Sequence, residues 1–503
     1  MYHKIENVMK NNFYLIFIFL ISIVYSKAIT IEQVESVAQN FLLSRASNSQ
    51  LYSLKNIEKD NYLNIVHLNP HGYLIISDDD EAIPILGYSF ESNIDLDNMP
   101  TQLSGLFVKY NLGIDYIVQN NLLEDENVRN LWNNYLEGPY RENNFREISP
   151  LISANWNQGG QWNDLCPGSS LVGCVAVAMG QVMYYWNYPI QGSGYSQYFD
   201  PQHGILSVVY DEYSYNYNNM FDNEATYDSQ LLLYHAGMSV HMDYSPWASG
   251  ASVCWEGPSA QAGLDENFNY HDDINCEVKI NYEDDAWHDL IFEQLFRGWP
   301  MVYRGYSDDA GHAWNIDGYQ ENYFHCNWGW GGSANGYFYF DSLNGGGYNF
   351  IDNQAALLNI APDNLLQPVA LFDFIIDDKV LLLNDLSSNI NEDNIVYYQW
   401  DFGDMNTSAE VSPQHTYENY GTYEVSLKVM SEYGMYSEEH YEVVSIIDLT
   451  GDVNNDFQVN ILDIVYLVDL ILSSTDFIEN IDLNQDESIN ILDVILLVQI
   501  ILD

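Results

Sequence analysis

Cys174 is where the sequence first offers chemistry. It follows Gly173 and opens the run CVAVAMGQVMYYW, small and apolar, with no breaker until Asn187, Tyr188 and Pro189, so the pattern predicts a helix that begins at the cysteine. A sulfur at a helix N-terminus lies in the positive end of the helix field, and a neighbouring imidazolium would add to it. Both favour the thiolate, the form that attacks a carbonyl carbon. A cysteine on its own in apolar sequence is more often an inert core residue. His312, 138 residues further on in DDAGHAWNIDGY, changes that balance. Gly311 and the alternating apolar residues after it predict the start of a strand, and the long separation suits a nucleophile and base that only folding brings together.

A second constellation closes the chain. GDVNNDFQVNILDIVYLVDLIL and IDLNQDESINILDVILLVQIIL repeat at an offset of 30 residues, each an acidic loop followed by an apolar helix. Asp452, Asn454, Asp456, Asn460 and Asp463 stand at positions 1, 3, 5, 9 and 12 of a twelve-residue loop, with the Gln458 carbonyl at position 7. Asp482, Asn484, Asp486, Asn490 and Asp493, with the Ser488 carbonyl, repeat the arrangement. Hard oxygen donors at alternating positions, including three carboxylates per loop, suit calcium. Phe457 and Glu487 occupy position 6, where glycine is usual, so the tight turn there costs more.

The remaining sequence must position these groups. A chain of 503 residues is too long for one core and suits three or four domains. Hydrophobic residues at 47% exclude wholesale disorder. Lys plus Arg number 15 against 72 Asp plus Glu, and the net charge of -57 repels nucleic acid and anionic membranes, which removes polyanion binding as a function and suits a saline or calcium-containing exterior. Residues 1–28 read as a secretory signal: Lys4 and Lys10, an apolar run from Phe13 to Tyr25, then Ser26 and Ala28. The alternative is an uncleaved anchor. About thirteen apolar residues fall short of the roughly 20 that cross a bilayer, and no later segment reaches that length, so no membrane span is expected in the mature chain. Five cysteines, Cys166, Cys174, Cys254, Cys276 and Cys326, are few for a disulfide scaffold, and the odd number leaves at least one thiol.

Residues 29–147 open with an amphipathic stretch, Ile31 to Phe41, followed by the alternating segments Tyr62 to Leu68 and Tyr73 to Ile76, which predicts a small α+β unit. Residues 148–362, rich in Gly, Trp and Tyr with glycine turns at 329–332 and 345–347, form the largest domain. Residues 367–447 carry short alternating strands at β-sandwich spacing, and 451–503 hold the two calcium loops.

The segments WNQGGQWN, VGCVAVAMGQVMYYWNYP, GHAWNIDGY and HCNWGWGGSANGYFYFDSL resemble, in order, four blocks of the streptopain family of secreted cysteine peptidases. The resemblance covers roughly residues 60 to 361. It implies a papain-like α+β catalytic domain in which Cys174 is the nucleophile and His312 the general base, with no cofactor for catalysis. Gln158 matches the family's oxyanion donor, acting with the Cys174 N–H; its plain alternative is a loop glutamine. Trp328 matches the tryptophan that stands where papain-like enzymes orient the histidine with an asparagine, and Trp330 the one that shelters the site and contacts substrate; both could equally be core residues. HGYLIISDDDEAIPILGYS resembles the streptopain propeptide, which implies that residues 29–147 fold alone as an inhibitory unit over the cleft until cleavage within 140–146. A permanent regulatory domain is the alternative.

The calcium repeat resembles a dockerin, whose partners are cohesin modules on a scaffold. Ile461 and Leu462, repeated as Ile491 and Leu492, match its recognition positions, against the alternative that they only pack the two helices together. YYQWDFGDMNTS with SPQHTY and YGTYEVSLKV resembles a PKD domain, in which Trp400 would fill the core and Asp404 set a turn. The expectation is therefore a secreted cysteine endopeptidase made as a zymogen, acting on protein and tethered through calcium loops. Its rivals are a catalytically silent peptide-binding or adhesion module and an enzyme of amide acyl transfer using the same pair.

Overall fold

The computed structural model describes residues 28–502 apart from 47–48, 123–125, 142–144, 255–256, 307–310, 345–351, 390–393, 455, 457 and 474–480. The expected signal segment, the glycine turn at 345–347 and Phe457 lie outside the described residues. The chain divides between Asn364 and Leu365 into two compact units.

The first unit is built on one sheet of eleven strands. In spatial order these are Ser53–Asp60, Leu63–Asn69, Tyr73–Ser77, Ile85–Ser89, Gly336–Phe338, Tyr323–Asn327, Gly311–Gln320, Met301–Tyr306, Asp352–Leu358 and Asn275–Val278, with Glu147–Ile148 pairing against Gly311–Gln320. The first four strands come from the N-terminal region and the rest from the catalytic region, so the sheet runs across the boundary between them. At the seam Tyr88 faces Tyr337 and Gly87 faces Phe338 in antiparallel register. A Cβ on Gly87 would lie 2.8 Å from the Phe338 ring, and one on Gly336 2.5 Å from the Tyr88 carbonyl oxygen, so the close approach needs glycine on both sides.

The hydrophobic core follows the sheet. Val37, Phe41, Tyr88 and Tyr110 of the N-terminal region share one buried cluster with Trp314, Phe324, Trp328 and Phe338 of the catalytic region. The sequence implied an N-terminal unit that folds alone; in the structure its core is joined to its neighbour's. An unpaired strand edge and the aromatic residues behind it are buried together by this arrangement.

The opposite half of the catalytic region is helical. Helix Cys174–Trp186 is buried along its length from Val175 to Met183 and packs with helices Tyr227–Ser239 and Ala260–Phe268 in a second core cluster. A helix apolar on all sides is a core helix. Its end is fixed by Asn187 in the left-handed conformation, φ 50°, one residue before the tyrosine and proline that the sequence marked as breakers.

In the second unit, strands Phe372–Asp377, Val380–Asp385 and Gln414–Thr416 form one sheet, and Thr407–Ser408, Ile395–Asp401, Gly421–Ser431 and His440–Ile446 form the other. Trp400 is fully buried with Phe372 edge-on at 5.0 Å, as the core reading requires. Asp404 holds the turn: it accepts from Asn406 N–H and lies 2.8 Å from His415 Nε2. Helices Ile461–Leu472 and Ile491–Leu502 follow and pack through Leu467, Val494 and Leu497.

Candidate active site

The helix begins at Cys174, as its sequence indicated. Its N-cap is Gly173 at φ +91°, and no side chain caps the first N–H groups. A Cβ at that position would lie 2.6 Å from Met242 Sδ and would be strained by the backbone angle, so glycine is required. The backbone N–H groups of Cys174, Val175 and Ala313, the residue after His312, instead favour charge on the Cys174 sulfur. The helix start and the strand Gly311–Gln320 thereby meet beside the sulfur.

A cleft of about 730 Å³ opens over this junction and gathers Gln158, Cys174, His312 and Trp330, with Trp247 and Arg304 at its walls. Gln158 is held from behind: its carbonyl accepts from Val172 N–H at 2.8 Å, two residues before Cys174. Trp328 does not reach the cleft. It is buried beneath, its Nε1 donating to the Ala334 carbonyl at 2.9 Å and its ring 5.3 Å from Trp314. Asn327 is not part of the cleft lining, its amide engaged with Gln181 and the Ala154 carbonyl.

The cleft has a roof. Thr101, Ser104, Gly105 and Val108 of helix Thr101–Asn120, from the N-terminal region, line it together with Cys174 and His312. Gln102, buried on the same helix, fixes the roof: Trp330 Nε1 donates to its Oε1 at 2.8 Å, and its Nε2 donates to the carbonyls of Trp328 at 3.1 Å and Ala313 at 3.2 Å. Sequence reading missed this residue. A signal existed, since Gln102 sits on the apolar stripe that continues through Leu106, Tyr110, Gly113 and Ile117, and a polar residue on a buried stripe needs partners.

Under that roof both members of the pair lose water. Burial pushes the Cys174 thiol up, and the N–H groups of Ala313, Val175 and Cys174, which pull it down, do not overcome it. Burial lowers His312. The sequence led to a thiolate beside an imidazolium; in this covered state enclosure disfavours both charges.

The cysteines resolve as one disulfide, Cys254–Cys276, with Cα atoms 5.7 Å apart, and three thiols, Cys166, Cys174 and Cys326. The disulfide ties the strand Asn275–Val278 to the segment after Val253, which lines the cleft. Cys166 and Cys326 are buried in apolar surroundings that push their thiols up, the environment of inert cysteines.

The C-terminal loops fold as the repeat demands. In the first, Asp463 Oδ1 accepts from Val453 and Asn454 N–H and its Oδ2 from Asn460 N–H, while Asp452 Oδ1 and Asn454 Oδ1 both accept from Asp456 N–H. In the second loop Asp493 accepts from Asn484 and Asn490 N–H, and Asp482 and Asn484 both accept from Asp486 N–H. Asn460 and Asn490 cap the following helices and donate Nδ2 to the carbonyls of Gln458 and Ser488. Asp463 and Asp493 are fully buried, yet the sequence from Gly451 to the end holds no Lys, Arg or His. Buried carboxylates and side-chain oxygens converging without a cation of their own fit a hard divalent ion. Glu487, at position 6, takes the left-handed φ of 63° that the missing glycine would supply freely. Ile461, Leu462, Ile491 and Leu492 are 50–67% exposed, so they do not serve to pack the helices together.

A helix-borne cysteine facing a histidine-bearing antiparallel sheet across a cleft defines a papain-like cysteine peptidase. Family models agree along the chain: Peptidase C10 family over residues 156–338, Spi protease inhibitor over 26–114, PKD domain over 367–446 and Dockerin type I domain over 450–502. Residues 156–338 thus match the peptidase C10, or streptopain, family, with a protease-inhibitor match before them and PKD and dockerin matches after them. Streptopain from Streptococcus pyogenes is 27% identical over 335 residues, 59% of this chain and 80% of that protein. The thiol protease/hemagglutinin PrtT of Porphyromonas gingivalis is 26% identical over 428 residues, 76% of this chain, and the match spans 47% of PrtT. Among solved structures, a prointerpain A fragment from Prevotella intermedia is 27% identical with a TM-score of 0.51, covering 62% of this chain and 99% of the fragment.

Proposed function

We propose that the chain is a secreted cysteine endopeptidase, made as a zymogen, that hydrolyses peptide bonds through Cys174 and His312. The observation that carries this reading is the single cleft lined by Gln158, Cys174 and His312 beneath the helix Thr101–Asn120. Once the N-terminal region leaves, water reaches the pair and the cost of charge separation falls. His312 then takes the Cys174 proton and the sulfur attacks the scissile carbonyl carbon. The oxyanion accepts from Gln158 Nε2 and the uncapped Cys174 N–H. The carbon–nitrogen bond breaks as His312 returns the proton to the leaving amine, and water, activated by His312, releases the acid from the thioester.

Residues 29–147 act as the inhibitory propeptide in this reading. Gln102 occupies Trp330 and the Ala313 carbonyl, which a substrate would otherwise meet, and Arg141 and Arg146 lie within the segment expected to be cut. The buried Trp328 would act on His312 through Trp314, on the same strand, and not by direct contact.

Asp452, Asn454, Asp456, Asp463 and the Gln458 carbonyl, with their counterparts Asp482, Asn484, Asp486, Asp493 and the Ser488 carbonyl, would hold calcium, with Asn460 and Asn490 at position 9 steadying each loop. Bound calcium supplies the positive charge that lets the buried carboxylates stay ionised. The exposed Ile461, Leu462, Ile491 and Leu492 would then meet a cohesin on a scaffold, concentrating proteolysis there.

The test is self-processing of the full-length chain and its action on casein, with and without Cys174→Ala and a thiol-alkylating agent. Loss of both activities in the variant and after alkylation is expected. Processing that persists in Cys174→Ala would leave the chain as a binding module, and turnover confined to non-peptide amides would favour acyl transfer.

A further inference from the structure

Gln181 lies two turns along the helix that Cys174 opens. It is fully buried, and its side chain reaches three other segments of the cleft. Its Oε1 accepts from Trp156 N–H at 3.0 Å, and its Nε2 donates to Asn315 Oδ1 at 2.8 Å and Asn327 Oδ1 at 3.3 Å. Trp156 stands two residues before Gln158, Asn315 three after His312, and Asn327 immediately before Trp328.

The orientation of these amides is fixed by partners that have only one role. Trp156 N–H can only donate, so Gln181 must present oxygen to it. Asn315 Nδ2 donates to the carbonyls of Ala178 and Met301 at 3.0 and 3.3 Å, and Asn327 Nδ2 donates to the Ala154 carbonyl at 2.8 Å. Both Oδ1 atoms are therefore left facing Gln181 Nε2. Asn315 is fully buried and Asn327 is 1% exposed, so bulk solvent does not reach the hub. An apolar residue would keep this helix in its core with no risk of an unpaired amide. What glutamine adds is a fixed spacing among four backbone segments that are distant in sequence.

We propose that Gln181 is the positioning residue of the cleft, setting the Gln158 segment against the cysteine helix and the histidine strand so that oxyanion donor, sulfur and imidazole share one geometry. The proposal rests on the peptidase reading of the same cleft. It also gives Asn327 its role: this asparagine serves the hub beneath the cleft, and not the histidine.

The test is a double-mutant cycle in the full-length chain, activated by limited tryptic cleavage, with kcat and KM measured on a peptide substrate. Gln181→Met, of similar size, should lower kcat about 10- to 100-fold with KM within about threefold, since alignment is realised in the transition state. In a Gln158→Ala background the same substitution should cost less than about threefold, because the donor it aligns is already gone. Gln181→Glu keeps the acceptor for Trp156 and loses at least one of the two donors; it should show the same coupling to Gln158, and it stands in if the Met variant does not fold. Equal fold losses with and without Gln158, or an unchanged kcat in a folded variant with a lowered melting temperature, would overturn the proposal. A folded but wholly inactive unaltered chain would instead remove the peptidase reading itself.

Discussion

The helix Cys174–Trp186 begins on Gly173 with no side chain over its first N–H groups, whereas the helix Ile461–Leu472 begins on Asn460 with a capping box closed by Asp463. The two starts are physically alike, each with orphan donors and a positive field. In the C-terminal module the donors are spent locally, so the helix is stable and its loop oxygens are held in place. At the cleft they are left for the sulfur and for an oxyanion, and stability has to come from burial of the helix on every side. An uncapped start is tolerable only where tertiary packing replaces the cap.

That contrast can be broken experimentally. The largest effect expected is at the open start: Cys174→Ala should abolish casein hydrolysis, a loss of at least about 10³-fold read by release of soluble peptides. Next is the module without cations. Calcium should raise the melting temperature of the C-terminal transition and a chelator should remove the gain, while Asp463→Ala should make the transition insensitive to calcium; a calcium response that survives in the variant would remove the ligand assignment. Cys254→Ser should cost on the order of 3 kcal/mol by releasing a closed loop of about 22 residues, read by denaturant unfolding of the catalytic domain. The capped start sharpens the comparison at the small end: Asn460→Ala should cost about 1 kcal/mol in that module and leave peptidase turnover unchanged.

The roof adds a pH dependence. Glu91 lies 2.5 Å from His325 Nε2, with Asp317 2.6 Å from Nδ1. Burial alone would lower His325, but Asp317 and then Glu91 raise it to about 10; burial alone would raise Glu91, but His325 holds it below its usual range. A raised imidazole gives stability that is complete below about 6.5 and lost as pH climbs through 10. A lowered carboxyl gives stability that is present above about 4.5 and lost as pH falls further. Between those limits the N-terminal region should hold tightest, and acid should loosen it. Labelling of Cys174 by a thiol reagent in the uncleaved Glu91→Gln chain should lose part of its acid dependence; an unchanged profile would place the control elsewhere.

The paired acidic loops, the start of the cysteine helix and the strand at His312 were legible because each is a short contiguous pattern governed by local donors, caps and periodicity. The four family blocks likewise sat in unbroken segments. The roof, the Cys254–Cys276 pairing, the shared core and the Gln181 hub were not legible, for they join residues from 22 to more than 200 positions apart. Local propensity carries no information about such meetings. The sequence by itself determined which groups could ionise, coordinate or attack. Only the tertiary structure decided that Cys174 and His312 share a cleft under a helix from another part of the chain, where lost water disfavours charge on either.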